Sequence, residues 1–147
     1  MNKGLTFVGL MVTISIIFIT SLILSTNYPK IQKELALQRA GHKIAQDLRR
    51  TQAAAMSAQC SPCQIIFDIN QKISYQVLEK TVNLEKGVEI ISLSPASPLT
   101  VSFSPPNPTT SINDVTSGLD AEITISISNG ISTKTIKINN AGRIEIK

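Results

Sequence analysis

The chain has no tryptophan and little aromatic content of any kind, with four Phe and two Tyr in 147 residues. A core built from it must rely on Ile, Val and Leu, the stock of a β-rich domain. It has only two cysteines, Cys60 and Cys63. They are too few for a disulfide framework and too few for a four-ligand zinc site. It has one histidine, His42. No acid and nucleophile are arranged around it as general acid–base chemistry needs. No Gly-rich phosphate loop, HExxH helix or nucleophile elbow occurs. These absences point away from an enzyme and imply no metal and no cofactor.

One further absence is local. From Leu5 to Leu24 there is no Asp, Glu, Lys, Arg, His, Asn, Gln or Pro. About twenty such residues at a 1.5 Å rise make about 30 Å of helix, the thickness of a bilayer's hydrocarbon core. The run is too long for the apolar region of a secretory signal peptide. It ends in Ser25-Thr26-Asn27-Tyr28-Pro29, which is a poor cleavage site. A membrane-spanning helix over residues 5–26 is expected. The rest of the chain is polar and amounts to one modest domain.

The net charge is +4. Lys30, Lys33, Arg39, Lys43, Arg49 and Arg50, opposed only by Glu34 and Asp47, hold an excess as large as that of the whole chain. Such a segment is either a solvated basic helix face or a patch for nucleic acid or lipid headgroups. Residues 27–61 read as an amphipathic helix. Ile31, Leu35, Leu37, Ala40, Ile44, Leu48, Ala55 and Met56 recur mostly at intervals of three and four. Pro29 suits a first turn or a kink, Gly41 weakens the middle, and Pro62 stops the helix near Gln59 to Ser61.

Beyond Cys63, residues 62–147 switch to a period of two. Gln64–Ile69 and Lys72–Glu79 flank an Asn70-Gln71 turn. Val88–Leu93 and Leu99–Ser104 are further strands. Ala121–Ser128 and Ser132–Asn139 surround Asn129-Gly130, a strong hairpin signal, and Arg143–Lys147 closes the chain. Ser94–Gly118 carries Pro95, Pro98, Pro105, Pro106 and Pro108 and reads as a surface excursion with one island of strand inside it. Cys60-Ser61-Pro62-Cys63 follows a helix and precedes a strand, the reverse of a thioredoxin-like setting. A structural disulfide at the helix end, a pair of inert thiols, and redox or metal use all remain open.

The segment Lys3-Gly4-Leu5-Thr6-Phe7-Val8 resembles the processing signal of type IV prepilins. The resemblance implies cleavage by a prepilin peptidase between Gly4 and Leu5. Residues 1–4 would then be a leader and Leu5 an N-methylated first residue. The run Ala45-Gln46-Asp47-Leu48-Arg49-Arg50-Thr51-Gln52-Ala53-Ala54-Ala55-Met56 is similar to the corresponding helix of GspH/FimT-type minor pseudopilins. The ending Gly142-Arg143-Ile144-Glu145 resembles the Gly-Arg turn and last strand of that group. The implied fold is α+β and pilin-like, with a long N-terminal helix, its first half membrane-spanning, packed on an antiparallel β-sheet.

The implied function is that of a structural subunit in a type II secretion or type IV pilus-like filament, serving protein secretion, pilus assembly or DNA uptake. Its partners would be sibling subunits, the prepilin peptidase, an inner-membrane assembly platform and membrane lipid. The implied location is the inner membrane, single-pass, with the N-terminus cytoplasmic and the C-terminal domain outside. The basic flank after the span, counted by itself, points to the opposite orientation.

Gly9 stands where the family usually carries a Glu, and this favours a minor subunit over a shaft subunit. A second reading is an anchored binding module, adhesive or contacting a polyanion through Lys43, Arg49, Arg50 and Arg143. A third is an anchored redox protein using Cys60 and Cys63. Glu145 replaces the second Arg of the ending found in DNA-binding members, so that motif does not support nucleic acid.

Overall fold

The computed structural model describes residues 7–104, 109–113, 120–127, 132–139 and 141–147. The expected processing site at Gly4 and Leu5, much of the Pro-rich excursion and the Asn129-Gly130 turn lie outside them. One helix, α1 (Phe7–Met56), is followed by nine strands. These are β1 (Cys63–Phe67), β2 (Ser74–Val77), β3 (Lys80–Asn83), β4 (Val88–Ser94), β5 (Leu99–Ser104), β6 (Thr109–Ile112), β7 (Ala121–Ile127), β8 (Thr133–Ile138) and β9 (Ile144–Ile146). The fold class is α+β, as expected. The chain divides into two compact units, one through Lys33 and one from Glu34 to the C-terminus.

In the first unit the side chains described from Phe7 to Leu22 are exposed or half-exposed, with Phe7 at 72% and Phe18 at 66%. This part of α1 has no polar face. Three of its hydroxyls are satisfied within the helix. Thr13 Oγ1 donates to the Leu10 carbonyl (2.8 Å), Ser15 Oγ to that of Met11 (2.9 Å) and Thr20 Oγ1 to that of Ile16 (2.9 Å). Among the described residues no helix is long and apolar enough to cross a membrane. The described apolar side chains from Phe7 to Leu22 cover about 24 Å at 1.5 Å per residue.

The second unit is a helix segment laid on two antiparallel sheets, where one sheet was expected. One sheet has the order β3-β2-β1-β5-β6 and the other β4-β7-β8-β9. The switch occurs after β3: β4 joins the second sheet, and its Ile90 N–H still donates to the Lys72 carbonyl at the first sheet (2.7 Å). A bulge between Ile90 and Ser92 interrupts the pairing of β4 with β7, and Ile91 stands 47% exposed. The alternation read from the sequence holds in detail. Cys63, Ile65 and Phe67 of β1 are buried while Gln64 and Ile66 are not, and Ala121, Ile123 and Ile125 of β7 are buried.

Both sheets share one core with Leu37, Ala40, Ile44, Ala45, Leu48 and Ala55 of α1. Three apolar helix positions expected to face inward do not: Ile31 and Met56 are 56% exposed and Leu35 is 41% exposed. Thr51 takes an inward place, with its hydroxyl donating to the Asp47 carbonyl (2.8 Å). Gly41 is buried between helix and sheet, where an added Cβ would meet Ile125 Cδ1 at 3.8 Å and Ile146 Cγ2 at 4.0 Å.

Several boundaries differ from expectation. Pro29 lies inside α1 and does not begin it. The helix ends at Met56, short of the Gln59–Ser61 stop expected from Pro62. Ala58 adopts φ 53°, and Gln59 N–H donates to the Ala54 carbonyl (3.0 Å) while Ala58 N–H donates to that of Ala55 (3.0 Å). This is a left-handed C-cap built on alanine. β3 was not expected because its hairpin turn, Leu78-Glu79, contains neither Asn nor Gly. Both residues nonetheless sit at positive φ, 47° and 68°, as a two-residue primed turn demands. β6 was not expected either. It pairs with β5 and makes β5 an interior strand with buried Leu99, Val101 and Phe103, so the Pro-rich stretch contains two sheet members.

Candidate functional site

Among the described residues, α1 carries most of the surface features that point to function. Its apolar N-terminal part offers Phe7, Val8, Met11, Val12, Ile16 and Ile19 on a shallow surface that encloses nothing. Gly9 and Thr13 lie one turn apart there, where small side chains permit helices to approach closely. This surface is suited to apolar surroundings, whether lipid or other helices, because the hydroxyl groups of Thr13, Ser15 and Thr20 are already bonded to backbone carbonyls.

From Glu34 on, the helix is clamped at its flanks by polar contacts. Toward the first sheet, Lys43 Nζ donates to the Asn83 carbonyl of β3 (3.1 Å). Tyr75 of β2 donates its hydroxyl to Asp47 Oδ2 (2.6 Å). The Tyr75 ring is fully buried and stacks on Phe67, with centroids 5.3 Å apart. Burial first, and then the hydrogen bond to Asp47 and its negative charge, push the Tyr75 hydroxyl far above its ordinary value of 10.0. The phenol is a fixed donor, and it turns the Asp47 carboxylate toward the sheet.

Toward the second sheet, Gln52 Nε2 donates to the Gly142 carbonyl (3.4 Å). Gly142 has φ 78°, and a Cβ there would stand 2.6 Å from Gln52 Nε2 and 3.0 Å from Thr110 Oγ1, so any other residue would be strained at this turn. Nothing in the sequence pattern marked the Asp47–Tyr75 pair. A lone Asp near the middle of a basic helix was the available signal.

Of the residues expected at a polyanion contact, Lys43, Arg49 and Arg50 are exposed on α1. Arg143 is on the turn between β8 and β9, next to the Gly142 that Gln52 of α1 contacts. Its Nε pairs with Glu145 Oε1 at 2.9 Å, which commits its charge to the acid that replaces the motif's second Arg. His42 is exposed. Among the described residues no group of three or more His, Cys, Asp or Glu is placed to hold a metal ion.

Cys60 and Cys63 stand at disulfide distance, with Cα atoms 5.2 Å apart. Cys63 is fully buried at the start of β1, and Cys60 is partly exposed just after the helix cap. The bond therefore joins the end of α1 to the first core strand. No family model, curated protein or solved structure matches the chain.

Proposed function

We propose that the chain is a minor pilin-like subunit, a structural component of a type II secretion or type IV pilus-like filament anchored in the inner membrane. The observation that carries this reading is α1 itself. One continuous helix is apolar and exposed all round at its N-terminal end, and from Leu37 on it supplies one wall of the core of an antiparallel domain. An apolar helix surface that its own chain leaves uncovered must be covered by lipid or by other subunits. Successive occupation of those two environments is what insertion followed by assembly requires. In this reading the run Leu5–Leu24 spans the bilayer, and Gly9 in place of an acid removes a charged contact within the apolar bundle. A cystine at the helix end agrees with a domain outside the cytoplasm.

The processing step supplies the test. Intact mass of the chain recovered from a host with a prepilin peptidase is expected to lack Met1 to Gly4 and to carry one methyl group on Leu5. A mass that retains Met1, or an N-terminus near Asn27, rules the reading out.

A further inference from the structure

We infer that the exposed face of α1 between Arg39 and Arg50 is a docking surface for the phosphate backbone of duplex nucleic acid. Arg39, Lys43, Gln46 and Arg50 follow one another at i, i+4, i+7 and i+11 and so share one face, flanked by His42 and Arg49. All six side chains are exposed, and the opposite face, with Leu37, Ile44 and Leu48, is fully buried. No carboxylate interrupts this face. Asp47, the one acid in the segment, is drawn off it by the Tyr75 hydroxyl at 2.6 Å. Lys43 Nζ rests on a backbone carbonyl of β3, a neutral acceptor that does not cancel its charge. The carboxylates bordering β3, Glu79 and Glu85, each have a lysine beside them in sequence, Lys80 and Lys86.

The chemistry selects the occupant. Three of the four permanent cations are Arg, whose planar fork matches phosphate oxygens. From Arg39 to Arg50 the helix rises about 16 Å, enough to meet several phosphates spaced at about 3.4 Å of axis per strand. No Phe, Tyr or Trp occurs between Tyr28 and Phe67, so the face lacks the large aromatic platforms on which successive bases of a single strand stack. A helix lying on a bilayer needs an apolar face to bury beside its basic one. In this segment the apolar face is already occupied by the core. The fork geometry of the arginines and the lack of a free apolar face favour sequence-independent contact with a duplex backbone.

The test uses the full chain in neutral detergent with a fluorescent 20-base-pair duplex. With four cations engaged, log affinity is expected to fall against log salt with a slope of about −3.6, which weakens binding about 150-fold between 50 and 200 mM. Arg39→Gln/Arg49→Gln/Arg50→Gln is expected to lower the slope by about 3, one for each phosphate no longer neutralised. Lys86→Gln/Lys134→Gln/Lys147→Gln, which removes the same charge elsewhere, is expected to keep it. All three proteins are compared by far-UV circular dichroism and thermal melting, so that loss of fold is separable. Absence of duplex binding at 50 mM salt overturns the inference, and so does equal weakening in both variants. Arg-dependent binding to vesicles rich in anionic lipid without binding to duplex also overturns it and reassigns the face to headgroups. The filament reading is tested by N-terminal mass, so either idea can fail without the other.

Discussion

At the scale of single residues, the most consequential pair is Asp47 and Tyr75. A buried phenol donating to a carboxylate is strong while both partners are present, and removing one strands the other. Asp47→Ala leaves the Tyr75 hydroxyl buried without its acceptor and is expected to cost about 1–3 kcal/mol. Tyr75→Phe should cost less, because both the donor and its desolvation are removed. The pH dependence has a definite sign. The Tyr75 hydroxyl is raised in the folded state above the value of 10.0 it has when unfolded. Its contribution is therefore complete below about pH 10 and is lost as pH rises above that value, where the unfolded chain releases the proton and the folded chain holds it. Unfolding measured between pH 8 and 11 is expected to show a drop in stability at the alkaline end that Tyr75→Phe makes smaller, the remainder including the Lys137–Glu122 pair, in which the hydrogen bond to the carboxylate raises the lysine as well. An equal alkaline drop in both proteins would assign it to other groups.

The elements show where local chemistry and sequence pattern part company. Leu37, Ile44 and Leu48 at helical spacing, and the alternation in β1 and β7, are strong periodic signals, and the structure follows them. The C-cap of α1 and the β2–β3 turn are made by Ala58 and by Leu78-Glu79, residues that carry no turn signal, so the helix end and β3 were not legible. A non-Gly residue at positive φ is held there by its surroundings. At Ala58 the hydrogen bonds of Gln59 and of Ala58 itself back to the last turn do the holding. Ala58→Gly removes the Cβ conflict and is expected to raise stability by about 0.5–1 kcal/mol. Thermal unfolding of the two chains checks it, and a lower melting temperature in the variant would contradict the assigned cap.

For the whole molecule, the proposed function requires the sheets to lie on the outer side of the membrane. Basic residues after the apolar run point to the cytoplasm by charge alone, whereas the proposed function places the domain outside. The cysteines discriminate, since disulfides persist in oxidising compartments and cytosolic thiols stay reduced. In cells quenched with an alkylating reagent, Cys60 and Cys63 are expected to resist labelling until a reductant is added. Labelling without reductant would put the domain in the cytoplasm. Removing both, as Cys60→Ala/Cys63→Ala, is expected to destabilise the fold by about 2 kcal/mol, the loop-closure value for so short a loop.

By itself the sequence determined the local periods: an uncharged helix, an amphipathic one continuous with it, and strands that alternate. Those follow from repeat lengths of 3.6 and 2, which neighbouring side chains alone can enforce. It also placed the exposed charges, because a residue opposite a buried stripe has nowhere else to go. Only the tertiary structure decided that the strands split into two sheets. That split depends on β4 leaving the edge of β3, and on Ile90 bonding across to Lys72, contacts between residues that no local window contains. Only the tertiary structure turned Asp47 inward, since its partner Tyr75 lies 28 residues away. The same hydrogen bond cleared the last acid from the basic face, so a run of charges that reads as mixed in sequence is of one sign on the folded surface.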